Sequence, residues 1–341
     1  MSTDSIFIAW TQFVLAALFI GVAGYYILLF ADAISEKTGL GRNWIGAILI
    51  ATVTSLPELM TGVSSVTLAQ TPDLAVGDIL GSCVFNLVLF FILDALDRER
   101  SVYSRASHGH ILLGALGIIL ISFVGFSMFL REKDFAFSLG HIGGYSLFIP
   151  LFYLLAMRTV YKFEVEHTRT GQNPKKNKYH QLSLPSLITR YMLASTGVIV
   201  CGLFLPFIGK NIISLMEWNE AFVGTLLIAL TTSLPEMAVT ISAVQVGAVD
   251  LAFSNLLGSN IFNIIILAID DAFYLKGPIL ESVSSFHVVT VLSAVMMTGL
   301  IIVGILHQPK KKYLNTVSGM SFLLLLVYLV NTYVMFKMGQ S

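Results

Sequence analysis

Apolar stretches of roughly twenty residues follow one another along this chain, each long enough to cross a hydrocarbon core of about 30 Å as a helix. A backbone in lipid has to satisfy its own polar groups, so the fold class is an all-α polytopic membrane protein. Composition agrees: 56% of the 341 residues are hydrophobic and 12% charged, too little charge to wet a soluble surface. Lys+Arg and Asp+Glu number 20 each, so no strongly basic face suggests a nucleic acid. Cys83 and Cys201 fall in apolar segments and read as packing residues rather than a disulfide. The opening MSTDSIFIAW has neither a basic n-region nor a small-residue cleavage site, so the first stretch is expected to be a retained helix.

Hydropathy divides the chain into ten transmembrane helices, near 6–30, 44–69, 74–95, 110–130, 141–161, 187–210, 218–245, 249–270, 283–306 and 313–336. A polar linker, 162–186, separates a first five-helix repeat (1–161) from a second (187–341). Basic residues gather after span three (Arg98, Arg100, Arg105), in the linker (Lys162, Arg169, Lys175, Lys176, Lys178) and between spans nine and ten (Lys310, Lys311, Lys312). These loops share one side, which the positive-inside rule makes cytoplasmic. The expectation is a multi-pass protein of an inner or plasma membrane, with the linker in the cytoplasm and both termini outside. Five is odd, so the second half enters the membrane with opposite polarity, giving two inverted repeats. The linker is too short for a folded ion-sensing domain.

Within this layout a polar motif recurs. Thr54-Ser55-Leu56-Pro57-Glu58 returns as Thr232-Ser233-Leu234-Pro235-Glu236. Downstream, Leu80-Gly81-Ser82-Cys83-Val84-Phe85-Asn86 returns as Leu257-Gly258-Ser259-Asn260-Ile261-Phe262-Asn263. A decayed duplication would preserve generic apolar residues; the matched residues here are polar and costly at membrane depth. Pro57 and Pro235 lack an N–H and should free the carbonyls of Val53 and Thr231. Glu58 and Glu236 are carboxylates at mid-membrane, with no Lys or Arg in either block to pair them. Thr54 and Ser55 precede Glu58 by four and three residues, on the same helical face, and Thr232 and Ser233 do so for Glu236. Ser82 with Asn86, and Ser259 with Asn263, are also four apart. Pseudo-symmetry would bring these hard oxygen donors together, a set suited to Ca²⁺, Na⁺ or Mg²⁺ and not to a soft metal. The small residues Gly77, Gly81, Ser254 and Gly258 would let the helices approach closely.

Other polar residues carry less. Asp78 and Asn255, each four residues before a motif serine, belong either to the mouth of this cluster or to a helix end. Asp94 and Asp270, toward the far ends of their spans, are read as equivalent interfacial residues. His108, His110 and His141 lack metal-ligand spacing and are read as loop or helix-end residues. No P-loop, G-x-S-x-G elbow or H-E-x-x-H is present, so neither an enzyme nor ATP-driven transport by this chain alone is expected.

The duplicated T-S-L-P-E and G-S-x-x-x-N blocks, set in inverted halves of five spans, resemble the α-repeats of the Ca²⁺:cation antiporter superfamily, closest to its prokaryotic Na⁺/Ca²⁺ exchangers. The resemblance implies an antiporter that exports Ca²⁺ against Na⁺ by alternating access, the first and sixth spans sliding across the core. It implies that Glu58 and Glu236 ligate Ca²⁺ and also bind Na⁺, and that Thr54 and Thr232 add oxygens to Ca²⁺. Ser55, Ser233, Ser82 and Ser259 would flank them as Na⁺ ligands, and Asn86 would line the middle. Ca²⁺ and Na⁺ are then cargo in a lipid bilayer, with no prosthetic group and no protein partner identifiable. Two departures from the family pattern stand out. Val53 and Thr231 occupy positions that usually carry glycine, and Asn263 stands where the second repeat often carries aspartate. The missing acid leaves H⁺ coupling, or another divalent ion, as the alternative to Na⁺/Ca²⁺ exchange. A cation channel with the same lining is a further alternative, and the paired glutamates in inverted repeats favour a carrier over it.

Overall fold

The computed structural model describes residues 3–38, 51–97, 100–132, 137–167, 181–245, 247–309, 312 and 316–338. It is helical apart from a two-residue hairpin, β1 (Ser138–Leu139) with β2 (Ile142–Gly143). The helices are α1 (Thr3–Thr38), α2 (Leu56–Ser64), α3 (Pro72–Leu96), α4 (Gly109–Glu132), α5 (Gly144–His167) and α6 (Leu184–Met216). The second half continues with α7 (Glu220–Thr232), α8 (Leu234–Gln245), α9 (Val249–Phe273), α10 (His287–His307) and α11 (Gly319–Met338).

Among the described residues eight helices are long and apolar enough to span a membrane, or nine if the α7–α8 pair, bent by 45°, is one span. Ten were expected. The difference lies at 44–69, where residues 44–50 fall outside the described ones and the helix breaks at Ser55. Lys310, Lys311, Arg98 and most of the central linker also lie outside them.

The centre is made by α3 and α9, whose most apolar windows are 78% and 72% buried, against 35% for α1 and 33% for α6. A helix apolar all round needs protein on every side, and α3 has it. It packs on α7, α10 and α11 of the other half, while α9 packs on α2, α4 and α5. The outer faces expose Phe7, Leu15, Leu18, Leu193, Phe204, Leu292 and Leu329, as a lipid-facing surface does.

Polar struts lock the two halves together at the ends of the central helices. Asp73 Oδ1 accepts the Ser284 N–H at 2.7 Å and meets His287 Nε2 at 3.0 Å. Asp250 Oδ1 repeats this with the Ser107 N–H at 3.1 Å and His110 Nε2 at 2.9 Å. At the opposite helix ends, Asp94 accepts from Val102 N–H (3.1 Å), Ser318 N–H (2.6 Å) and the Ser321 hydroxyl (2.8 Å), with Lys312 Nζ at 3.4 Å. Asp271 accepts from Ile279 N–H (2.6 Å), Gly143 N–H (2.8 Å) and the Tyr145 hydroxyl (2.6 Å). Each carboxylate thereby gathers orphan donors at the start of a helix from the other half.

His108 and His110 sit at the start of α4 and His141 in the hairpin turn, the loop or helix-end places expected, and His110 is in addition buried against Asp250. The aspartates correct two expectations. Asp94 is fully buried, and its equivalent, counted from Asn86 and Asn263, is Asp271 rather than Asp270. Asp270 matches Leu93; it is buried against Gly62, and neither of its carboxylate oxygens has a hydrogen-bond partner among the described residues.

The neighbouring aspartates should therefore respond oppositely to the same change. Asp271→Asn turns an amide against a buried donor and should cost about 1–3 kcal/mol. Asp270→Asn removes an unpaired buried carboxylate and should leave the midpoint unchanged or raise it. Thermal unfolding of the two variants in detergent checks this; equal losses would refute the assigned roles.

Candidate cation site

The geometry starts from the prolines. Pro57 and Pro235 cannot donate to the residue four back, and each helix breaks two residues earlier, at a serine. Ser55 has φ −88° and ψ 12°; Ser233 has φ −87° and ψ 11°. The same dipeptide chemistry has given the same local backbone twice. Each helix restarts with proline in its first turn, where a missing N–H costs nothing, and Glu58 or Glu236 follows immediately.

Each kink is roofed by a glycine from the other half. A Cβ on Gly24 of α1 would overlap the Pro235 ring, and one on Gly202 of α6 would lie 2.9 Å from Met60 Cβ and 3.3 Å from the Pro57 carbonyl. Val53 packs with Ala23 and Ile27 of α1 and Val198 of α6, and the Thr231 hydroxyl turns back to the Leu227 carbonyl at 2.9 Å. The two residues standing in place of family glycines are thus accommodated without entering the carboxylate cluster.

All ten predicted site residues are buried: Thr54 is 2% exposed, and Ser55, Glu58, Ser82, Asn86, Thr232, Ser233, Glu236, Ser259 and Asn263 are fully enclosed. The motifs meet across the two halves. Ser233 Oγ donates to Glu58 Oε1 at 2.9 Å, and Ser55 Oγ donates to Glu236 Oε1 at 3.1 Å. Ser259 Oγ adds a bond to Glu236 Oε1 at 3.3 Å, and Thr54 faces the same carboxylate while donating to the Ala51 carbonyl at 3.2 Å. In both glutamates the second oxygen, Oε2, has no hydrogen-bond partner among the described residues.

The asparagines divide. Asn86 Nδ2 donates to Asn260 Oδ1 at 3.1 Å, and Asn260 Nδ2 donates to the Cys83 carbonyl at 3.0 Å, a crossing that joins α3 to α9. Asn263 faces Cys83 and makes no hydrogen bond among the described residues. Asn260 lies inside the second motif, but its counterpart is Cys83, so the repeat does not mark it.

Asp78 is the residue that spacing left undecided. It is fully buried and belongs to the cluster: Thr232 Oγ1 donates to its Oδ1 at 2.8 Å and Ser82 Oγ lies 3.5 Å away. Its counterpart Asn255 is buried with neither amide atom bonded among the described residues. The available signal was an acid four residues before Ser82 in an apolar run. Among the described residues no three Asp, Glu, His or Cys side chains are grouped so as to hold one metal ion between them. The arrangement is two serine-tethered glutamates with hydroxyls around them and a third carboxylate to one side. Uncompensated carboxylate oxygens among hydroxyls and amides can take a hard cation, and among the described residues no cationic side chain bonds to them.

A sequence model of the sodium/calcium exchanger protein family matches residues 8–160 and 187–337. Inner membrane protein YrbG of Escherichia coli is 29% identical over 247 residues, covering 70% of this chain and 72% of that protein. Sodium/calcium exchanger MaX1 of Methanosarcina acetivorans is 24% identical over 286 residues, covering 73% and 78%. Among solved structures, native YfkE superposes with a TM-score of 0.66 at 17% identity, covering 95% of this chain and 92% of that one. The sodium-calcium exchanger NCX_Mj, soaked with 2.5 mM Na⁺ and 10 mM Sr²⁺, gives 0.61 at 17% identity, covering 95% and 98%. These structural matches establish a common fold.

The roofing glycines make a stability prediction. Gly24→Val and Gly202→Val should each cost about 1–3 kcal/mol, as overpacking does. Gly117→Ala, whose added carbon meets only Ile261 Cγ1 at 3.8 Å, should be near neutral. Thermal midpoints in detergent compare the three; a neutral Gly202→Val would show that the α6 contact is not tight.

Proposed function

Because the chain belongs to the sodium/calcium exchanger protein family, we propose that this membrane transporter exports Ca²⁺ in exchange for Na⁺ by alternating access. The observation that carries the reading is the pair of enclosed glutamates, each held by a serine of the other half and each keeping one oxygen unbonded. Glu58 and Glu236 supply two negative charges for Ca²⁺, with Thr54 and Thr232 adding oxygens. Ser55, Ser233, Ser82 and Ser259 flank them for Na⁺, and Asn86 and Asn263 line the middle. The same carboxylates serve both ions in turn, so Ca²⁺ and Na⁺ exclude one another, which is the condition for exchange rather than leak.

The remaining architecture follows from this reading. Residues 1–161 and 187–341 form two inverted five-helix repeats, and the linker 162–186 faces the cytoplasm with both termini outside. The site residues are shut off from solvent, so ions reach them only after a rearrangement. α1 and α6, packed along one another and touching both proline kinks, are the elements whose sliding would open first one side and then the other. One observation favours a second reading. Asn263 is neutral, which suits coupling to H⁺ instead of Na⁺.

Ca²⁺ uptake into proteoliposomes loaded with Na⁺ and diluted into Na⁺-free medium tests the proposal, with a second set carrying only a pH gradient. Uptake driven by Na⁺ is expected, and Glu58→Gln and Glu236→Gln should each abolish it while the protein stays folded in the membrane. Uptake driven only by the pH gradient would replace Na⁺ by H⁺. Normal transport by both glutamine variants would refute the site. Asn263→Asp should alter the Na⁺ dependence, and an unchanged dependence would show that this position does not set coupling.

A further inference from the structure

The two halves of the site are not equivalent, and the departure from symmetry is local. On one side Ser259 donates to the glutamate of its own half, Glu236, at 3.3 Å. Its counterpart Ser82 makes no such bond to Glu58; it sits 3.5 Å from Asp78 Oδ1 and 3.4 Å from Thr232 Oγ1. Thr54 and Thr232 differ in the same way. Both approach the carbonyl three residues back, at 3.2 Å for Ala51 and 3.3 Å for Ala229. They differ in the acid they meet: Thr54 faces Glu236 of the other half, whereas Thr232 donates to Asp78 at 2.8 Å instead of facing Glu58. The asymmetry coincides with one matched position, aspartate in the first half and Asn255 in the second.

Asp78 therefore draws two predicted ligand hydroxyls toward itself. Its other oxygen, Oδ2, is buried without a hydrogen-bond partner among the described residues, as are Oε2 of Glu58 and Oε2 of Glu236. A structural acceptor would need only the one oxygen that Thr232 and Ser82 use, and asparagine would supply it. A full carboxylate buried without a basic partner is expensive, and a nearby cation offsets that cost.

We propose that Asp78 is a third acid of the cation site, a charge- and specificity-determining residue on the flank formed with Ser82 and Thr232. It supplies from the first half the negative charge that neutral Asn263 does not supply from the second. The site then holds three carboxylates, so one bound Ca²⁺ leaves one negative charge for a monovalent cation on this flank alone. This rests on the exchanger reading above.

The test separates charge from hydrogen bonding. Equilibrium ⁴⁵Ca²⁺ binding to the purified protein in detergent, with and without competing Na⁺, would be measured for wild type, Asp78→Asn, Asp78→Ala and Glu236→Gln. Asp78→Asn keeps the acceptor for Thr232 and should still weaken Ca²⁺ binding by about tenfold, as the loss of one ligand charge does. It should also change the Na⁺ competition and fall close to Asp78→Ala. Wild-type behaviour of Asp78→Asn, with loss only in Asp78→Ala, would make Asp78 a structural acceptor and overturn the proposal. Should Asp78→Asn fail to fold, Asn255→Asp adds an acid at the matching place. It should tighten Ca²⁺ binding, and an unchanged affinity would overturn the proposal as well. Glu236→Gln distinguishes the two levels: if it binds Ca²⁺ like wild type, the exchanger site itself is misplaced. If it loses binding while Asp78→Asn does not, only the role of Asp78 fails.

Discussion

Two carboxylates enclosed in an apolar bundle, with no basic side chain beside them among the described residues, are the constraint around which this structure is arranged. Each half takes a tether for its glutamate from the other. Ser233 tethers Glu58 and Ser55 tethers Glu236, so each acid is kept in place by the other half's kink. The kink comes from proline, the serine's orientation from the kink, and the close approach from glycines at Gly24 and Gly202. Remove any one and the others lose their purpose. The same exchange between halves recurs at the ends of α3 and α9, where Asp73, Asp94, Asp250 and Asp271 each gather donors belonging to the other half.

Much of this was legible in the chain because a polar residue in an apolar run is conspicuous. The ten motif residues stand out for that reason, and the folded chain encloses all of them. What was illegible depended on distance or on backbone detail. His110 meets Asp250 across 140 positions and His287 meets Asp73 across 214, separations at which local spacing says nothing. The π-helical turns at Ser65–Ala69 and Gly224–Ile228 carry no compositional mark. Asp94 looked interfacial because it ends a span, yet its partners arrive from residues 102, 312, 318 and 321. Asp270 and Asp271 are adjacent in sequence, and their surroundings tell them apart: Asp271 gathers donors and Asp270 has none among the described residues.

Where the halves agree in sequence they agree in geometry, down to the torsions of Ser55 and Ser233. Where they differ, the symmetry breaks: Cys83 opposite Asn260 gives a one-sided amide crossing, and Asp78 opposite Asn255 redirects two hydroxyls. The duplication thus supplies the frame, and a few unmatched residues supply the difference between its two faces.

The long helices α1 and α6 carry a further consequence. At 36 and 33 residues they measure about 54 and 50 Å, well beyond a hydrocarbon core of about 30 Å. Helices of that length accommodate by tilting or by emerging from the membrane, and their inclination is set jointly by protein packing and bilayer thickness. Their most apolar windows are only 35% and 33% buried, and both touch the proline kinks, through Gly24 and Gly202. The bilayer that sets the inclination of α1 and α6 thus bears on the same two helices that cover the proline kinks.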